Sequence, residues 1–188
     1  MPTATKVPGA RRNDVCSRAK NLVTERGEPV KLYMELLVIN RLADRATAMG
    51  KIFFYGLFMD RRLLIEKGFH PETIGPAVLS GYRIHIGERA TLLPSASGRA
   101  YGILMELSER ETHALYSEPS VREYQPERVQ VTLSAGDRVV EAYCYNLPRE
   151  LGLTGANPAY ANELARLVEA LEFDSAYAQE IAAFGERS

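Results

Sequence analysis

The chain has 188 residues, 46% of them hydrophobic and 25% charged, with a formal net charge of -1. That length fits one domain with room for a tail and is enough to bury a core. The near-neutral charge argues against nucleic-acid binding, which normally shows as clustered Lys and Arg, and no apolar run reaches the roughly 18 residues of a membrane span. The two cysteines, Cys16 and Cys144, have no metal-ligand spacing. Their number suits a reducing cytoplasm, although sequence leaves one disulfide open. A cytoplasmic enzyme and a cytoplasmic binding domain are equally compatible with these facts.

Residues 1–12 are rich in Pro, Gly, Thr and basic residues without apolar periodicity, and residues 1–50 hold nine Lys/Arg against five Asp/Glu. Residues 32–42 are apolar enough for one turn or a short helix, and no small-residue cleavage site follows a long apolar core as in a signal peptide. The compact domain is therefore expected to begin near Met49, giving an N-terminal extension over 1–48 and a folded domain over 49–188.

The most informative segment follows at once. Residues 51–55 read as a buried strand that runs into Gly56 and then a short helix over 60–67 ended by Gly68. A glycine there lets the backbone approach a ligand closely, and amides at a helix start welcome an anion. A long strand with a bend is expected over 77–86. Two more strands, over 90–93 and 99–107, are expected on either side of the turn-prone Pro94-Ser95-Ala96-Ser97-Gly98. Ser108 and Glu111 supply a capping box for a helix through Leu115. Val129, Val131 and Leu133 alternate with polar neighbours as a half-buried strand should, and a turn at 134–137 leads to a strand over 138–145. Asn157-Pro158 caps a helix carrying Ala161, Leu164, Val168 and Leu171, and a last helix spans 174–184. Strands in the middle and helices at the end favour an α+β fold with a curved or barrel-like mixed β-sheet.

These residues resemble the γ-glutamylcyclotransferase-like (AIG2-like) family. The resemblance rests on Phe54-Tyr55-Gly56, the Pro76-to-Tyr82 strand, Gly98 to Leu107, Leu115-Tyr116-Ser117-Glu118, Tyr124, and Pro158-Ala159-Tyr160, and so spans about residues 51–180. It implies that the loop Tyr55-Gly56-Leu57-Phe58-Met59 binds a γ-glutamyl group through backbone amides. It further implies that Glu118 performs the proton transfers releasing 5-oxoproline and a free amine, and that Tyr145 contacts substrate. No cofactor and no metal are implied. The implied partner is a small γ-glutamyl compound, with neither nucleic acid nor membrane, and the oligomeric state stays open.

The chemistry is self-consistent. The substrate carries its own nucleophile, the α-amine, so the protein must hold the chain folded and move a proton from ammonium to leaving nitrogen. One carboxylate can deprotonate the ammonium and then protonate the departing nitrogen, and backbone amides hold a carboxylate or the developing oxyanion.

Leu57 stands where that family usually has a small hydroxyl residue, and Tyr116 and Pro119 flank the glutamate where an aspartate and a glycine are usual. These departures favour the rival expectation, a non-catalytic small-molecule binding or interaction module on the same fold. A third reading has the basic N-terminal arm engaging a protein partner. Read without the resemblance, Glu118 is a solvated loop acid, Tyr55-Gly56 a strand terminus, and Tyr143 and Tyr145 core or pocket lining equally. His70, His85 and His113 are too far apart in sequence to suggest a ligand set, and Ser95 and Ser97 lack a nucleophile elbow.

Overall fold

The computed structural model describes residues 49–186. The expectations for residues 1–48, including the basic arm, lie outside them. Eleven segments follow in chain order: β1 (Met49–Phe54), a 3-10 turn (Leu57–Met59), α1 (Arg61–Glu66), β2 (Glu72–Ile86), β3 (Ala90–Ser108), α2 (Glu109–Leu115), β4 (Gln125–Leu133), β5 (Val139–Asn146), α3 (Arg149–Gly152), α4 (Pro158–Ala170) and α5 (Ser175–Gly185). The strands close into a barrel in the order β1-β3-β2-β4-β5. The curved, mixed sheet and the α+β class are as the sequence predicts.

Closure depends on one parallel contact. β1 pairs antiparallel with β3 from Met49↔Ser108 to Phe54↔Ile103 and parallel with β5 at Ile52↔Tyr143. The remaining pairs are antiparallel. Because β1 and β5 run the same way, their C-terminal ends emerge side by side, which delivers Tyr55 and Tyr145 to the same rim. Alternation along the strands sends Val129, Val131 and Leu133 of β4 and Ala142, Cys144 and Asn146 of β5 into the buried set. Leu79, Ile84, Leu104, Leu107 and Val131 are fully enclosed, and each such side chain contributes about 1.5–3 kcal/mol on leaving water.

One predicted boundary needs correction. The two strands expected on either side of residues 94–98 form one long strand, β3, paired along its length with β2. The ladder steps from Ser80↔Arg99 to Tyr82↔Pro94, so residues 95–98 are looped out opposite Gly81. Gly81, at φ +83°, supplies the left-handed backbone that this irregularity needs. The turn-forming residues therefore make a wide bulge, and strand pairing resumes beyond it.

Helix starts follow the local signals. Ser108 accepts from the Glu111 amide while the Glu111 carboxylate accepts from the Ser108 amide, completing the capping box of α2. Asn157 caps α4 with Pro158 in its first turn, and Asp174 caps α5. The short helix α3 has no side-chain cap and was not expected from sequence. Helices α4 and α5 bury Leu164, Val168, Tyr177, Ile181 and Phe184. α5 meets the sheet through an edge-to-face contact of Phe184 with His85 and a tilted ring contact of Tyr177 with Tyr101. Among the described residues no helix is long and apolar enough to cross a membrane.

Candidate active site

At the rim where β1 and β5 end, a cavity of about 330 Å³ opens between the loop after β1, the β2–β3 hairpin, the turn after α2, and the start of α4. Its lining is mainly aromatic. Phe53 to Phe58 form one wall, and Tyr116, Tyr124, Tyr145 and Tyr160 approach from the other elements.

The loop wall has a defined geometry. Gly56 is extended (φ -107°, ψ -160°), and its carbonyl accepts from the Met59 amide at 2.9 Å, closing the 3-10 turn. Asp60 then caps α1 through the Arg62 amide. The glycine is required by a neighbour within the protein: a Cβ at residue 56 would sit 2.7 Å from the Tyr160 hydroxyl. The space that a glycine opens next to the loop is thus taken in part by Tyr160 of α4.

The tyrosines form a linked set. Tyr55 donates to the Tyr145 carbonyl at 2.7 Å, fixing the loop to the end of β5. Tyr145 stacks on Tyr116 with ring centroids 3.5 Å apart and planes 8° from parallel. Tyr124 donates to the Ala90 carbonyl at 2.7 Å. Burial pushes every one of these phenols up: Tyr55 and Tyr116 well above their ordinary value, Tyr145 upward, and Tyr124 to about 12. Burial also raises Tyr160, against a hydrogen bond from the Leu57 backbone that works the other way. Near neutral pH all five stay protonated, so they offer donors and apolar faces but no base. Cys144 lies in the barrel, where burial raises its thiol to about 12, so it is no ready nucleophile.

Of the residues singled out from sequence, the structure brings Tyr55, Gly56, Leu57, Phe58 and Tyr145 around one cavity. Met59 points into the core instead and is buried there. Glu118 lies in the turn after α2, between the lining residues Tyr116 and Ser120, but is not itself among the lining residues. Its carboxylate pairs with the Lys67 ammonium at 2.7 Å, with side-chain exposures of 27% and 38%. A pair this exposed holds weakly, at about 0–1 kcal/mol.

The structure also adds residues that sequence reasoning passed over. Glu88, Arg89 and Asn157 line the cavity beside Tyr160. The hairpin tip carrying Glu88 is locked in place, its amide donating to the Thr154 carbonyl at 2.8 Å and its carbonyl accepting from Asn157 Nδ2 at 3.1 Å. The sequence signal was a charged pair at the tip between two apolar strands, which an ordinary solvated hairpin also carries. No group of three or more His, Cys, Asp or Glu side chains suited to a metal ion occurs among the described residues.

The fold is thus an α+β domain built on a small closed barrel, with a tyrosine-glycine loop at the rim beside a mainly aromatic cavity. The family model "Gamma-glutamyl cyclotransferase, AIG2-like" matches residues 52–164, and the chain belongs to that family. Among solved structures, an uncharacterized protein of Homo sapiens is 14% identical, with a TM-score of 0.58 over 72% of this chain and 87% of that one. A structure described as gamma-glutamyl cyclotransferase is 13% identical, with a TM-score of 0.58 over 72% and 88%. YkqA from Bacillus subtilis is 21% identical, with a TM-score of 0.61 over 79% of this chain and 58% of that one. At these identities the likeness is one of fold. No protein of curated function matches the chain.

Proposed function

We propose that this chain is a cyclotransferase that releases 5-oxoproline and a free amine from a γ-glutamyl amine or amide. The observation that carries the reading is the cavity walled by Tyr55, Gly56, Leu57 and Phe58 in a chain of the γ-glutamyl cyclotransferase, AIG2-like family. The cavity confines the γ-glutamyl chain so that its α-amine meets its own γ-carbonyl, and enclosure of this kind supplies much of the acceleration. The α-nitrogen forms the new bond to the carbonyl carbon, the bond to the leaving nitrogen breaks, and one proton moves from the first nitrogen to the second.

Glu118 is the group we assign to that proton. It is flanked by the wall residues Tyr116 and Ser120, and its tie to Lys67 is partly exposed, so turning toward the cavity costs little. The neutral tyrosines leave the proton transfer to a carboxylate.

A second reading, binding of a γ-glutamyl compound without turnover, is favoured by the Glu118–Lys67 pair itself, which holds the carboxylate away from the cavity lining. Incubation with a panel of γ-glutamyl amines, amino acids and amides, with 5-oxoproline as readout, separates the two. Release of 5-oxoproline supports the cyclotransferase. Saturable binding without release supports the binding module.

A further inference from the structure

Arg89 is the one Lys or Arg among the residues that line the cavity. It stands immediately before β3, and three contacts hold its side chain. One terminal nitrogen donates to the Ser120 carbonyl at 3.2 Å, the other pairs with the Glu123 carboxylate, and the guanidinium carbon lies 5.8 Å from the Tyr124 ring centre. Tyr124 is itself tied to Ala90, the residue after Arg89. A long side chain that would otherwise be mobile is thus fixed against the turn that carries Glu118.

The two hydrogen bonds use two of the five N–H donors of a guanidinium. Among the described residues the other three meet no acceptor, and the side chain keeps 28% of its surface exposed. A fixed planar fork with spare donors in a mainly aromatic cavity is suited to a carboxylate. Glu88, the preceding residue, is the only carboxylate among the cavity's lining residues. A cation and an anion on adjacent residues match a carbon that bears both a carboxylate and an ammonium, which is the α-carbon of a γ-glutamyl group.

We propose that Arg89 is a positioning residue that binds the α-carboxylate of the γ-glutamyl substrate. This rests on the cyclotransferase reading and deepens it: with the carboxylate held by Arg89, the Tyr55–Phe58 loop is left for the γ-carbonyl end of the chain. Arg89 anchors one end of the chain and takes no part in proton transfer.

The test uses two γ-glutamyl benzylamides, one with a free α-carboxylate and one with an α-carboxamide, so that the amine portion has no carboxylate. The parent is expected to show a KM about 10- to 100-fold lower for the carboxylate, the range of one or two charge-assisted hydrogen bonds. Arg89→Gln should abolish that preference by raising KM for the carboxylate while kcat changes only severalfold. Arg89→Lys, which keeps charge but loses the fork, should fall between. A residue that only braced the turn would affect both compounds alike. An unchanged preference in Arg89→Gln, or in Arg89→Lys should the glutamine variant not fold, overturns the proposal. Turnover of both is read as benzylamine, because the carboxamide cyclises to 5-oxoprolinamide. If the parent releases none, the cyclotransferase reading is decided separately by 5-oxoproline release from the wider panel, and calorimetric Kd values for the same two compounds decide Arg89. Loss of a parental preference in Arg89→Gln then supports it, and equal or undetectable binding of the two compounds by the parent refutes it.

Discussion

Replacing Gly56 with Ala tests how the loop wall is built. The new Cβ would lie 2.7 Å from the Tyr160 hydroxyl, so the ring or the loop must shift by several tenths of an ångström. Crowding of a packed site costs about 1–3 kcal/mol. Opposing it, Gly→Ala at a conformation open to alanine stabilises by about 0.4–1 kcal/mol through the unfolded chain, and φ -107° is such a conformation. The net expectation is a loss of about 1–2 kcal/mol, read by urea unfolding or as a fall of about 2–8 °C in Tm. Tyr160→Phe removes the atom that the new Cβ strikes. In that background Gly56→Ala should therefore be close to neutral or stabilising, with a coupling energy of about 1–2 kcal/mol in the double-mutant cycle. Equal costs in the two backgrounds would refute the claim that residue 56 is glycine because of Tyr160.

Two further outcomes follow from packing and charge. Gly102→Ala places a Cβ 2.3 Å from the Phe54 carbonyl and 2.7 Å from the Phe53 ring; because backbone cannot yield as a side chain can, unfolding measurements should show a loss of about 3 kcal/mol or more, and a loss under 1 kcal/mol would contradict the described β1–β3 packing. For Glu111, burial alone would raise the carboxyl, but hydrogen bonds from the Ser108 side chain, the His70 amide and the Ser108 amide outweigh it and hold it at about 2. Its folded value lies below its ordinary 4.5, so its contribution is complete above about pH 4.5 and is lost as the pH falls toward 2. With the side chain 20% exposed, that contribution is at most about 3 kcal/mol. Glu111→Gln should therefore be less stable than the parent at pH 7, with the gap closing between pH 4.5 and 2 in unfolding titrations. A gap independent of pH would show that the capping carboxylate is not what stabilises α2.

What the sequence made legible was short in range. Ser108 and Glu111 lie three residues apart, Asn157 adjoins Pro158, and the alternation around Val129 is contained in one strand, so each signal is complete within a few residues. The loop from Tyr55 to Phe58 was legible for the same reason, with the family resemblance adding its meaning. The barrel's closure was not, because it turns on the single parallel pair Ile52↔Tyr143, more than ninety residues apart. The bulge at residues 95–98 looked like a turn because its composition is that of a turn; only its partner β2 shows that the strand resumes. The far wall of the cavity was hidden in the same way. Tyr160 reaches Gly56 from α4, and Arg89 acquires its place through Ser120, Glu123 and Tyr124. Glu118 was legible as a residue, whereas its Lys67 partner lies 51 positions away and no local pattern links them.

In the proposed reaction Glu118 moves the proton in a cyclisation confined beneath the Tyr55–Phe58 loop. The most direct measurement compares 5-oxoproline release by the parent, Glu118→Gln and Glu88→Gln on a γ-glutamyl compound that the parent turns over. Loss of a positioned acid–base group costs about 10²- to 10⁴-fold in rate. A fall of that size in kcat is expected for Glu118→Gln, and a kcat within about tenfold of the parent for Glu88→Gln. Full activity in Glu118→Gln, with the large loss falling on Glu88→Gln, would contradict the Glu118 assignment and move the proton transfer to the carboxylate that lines the cavity.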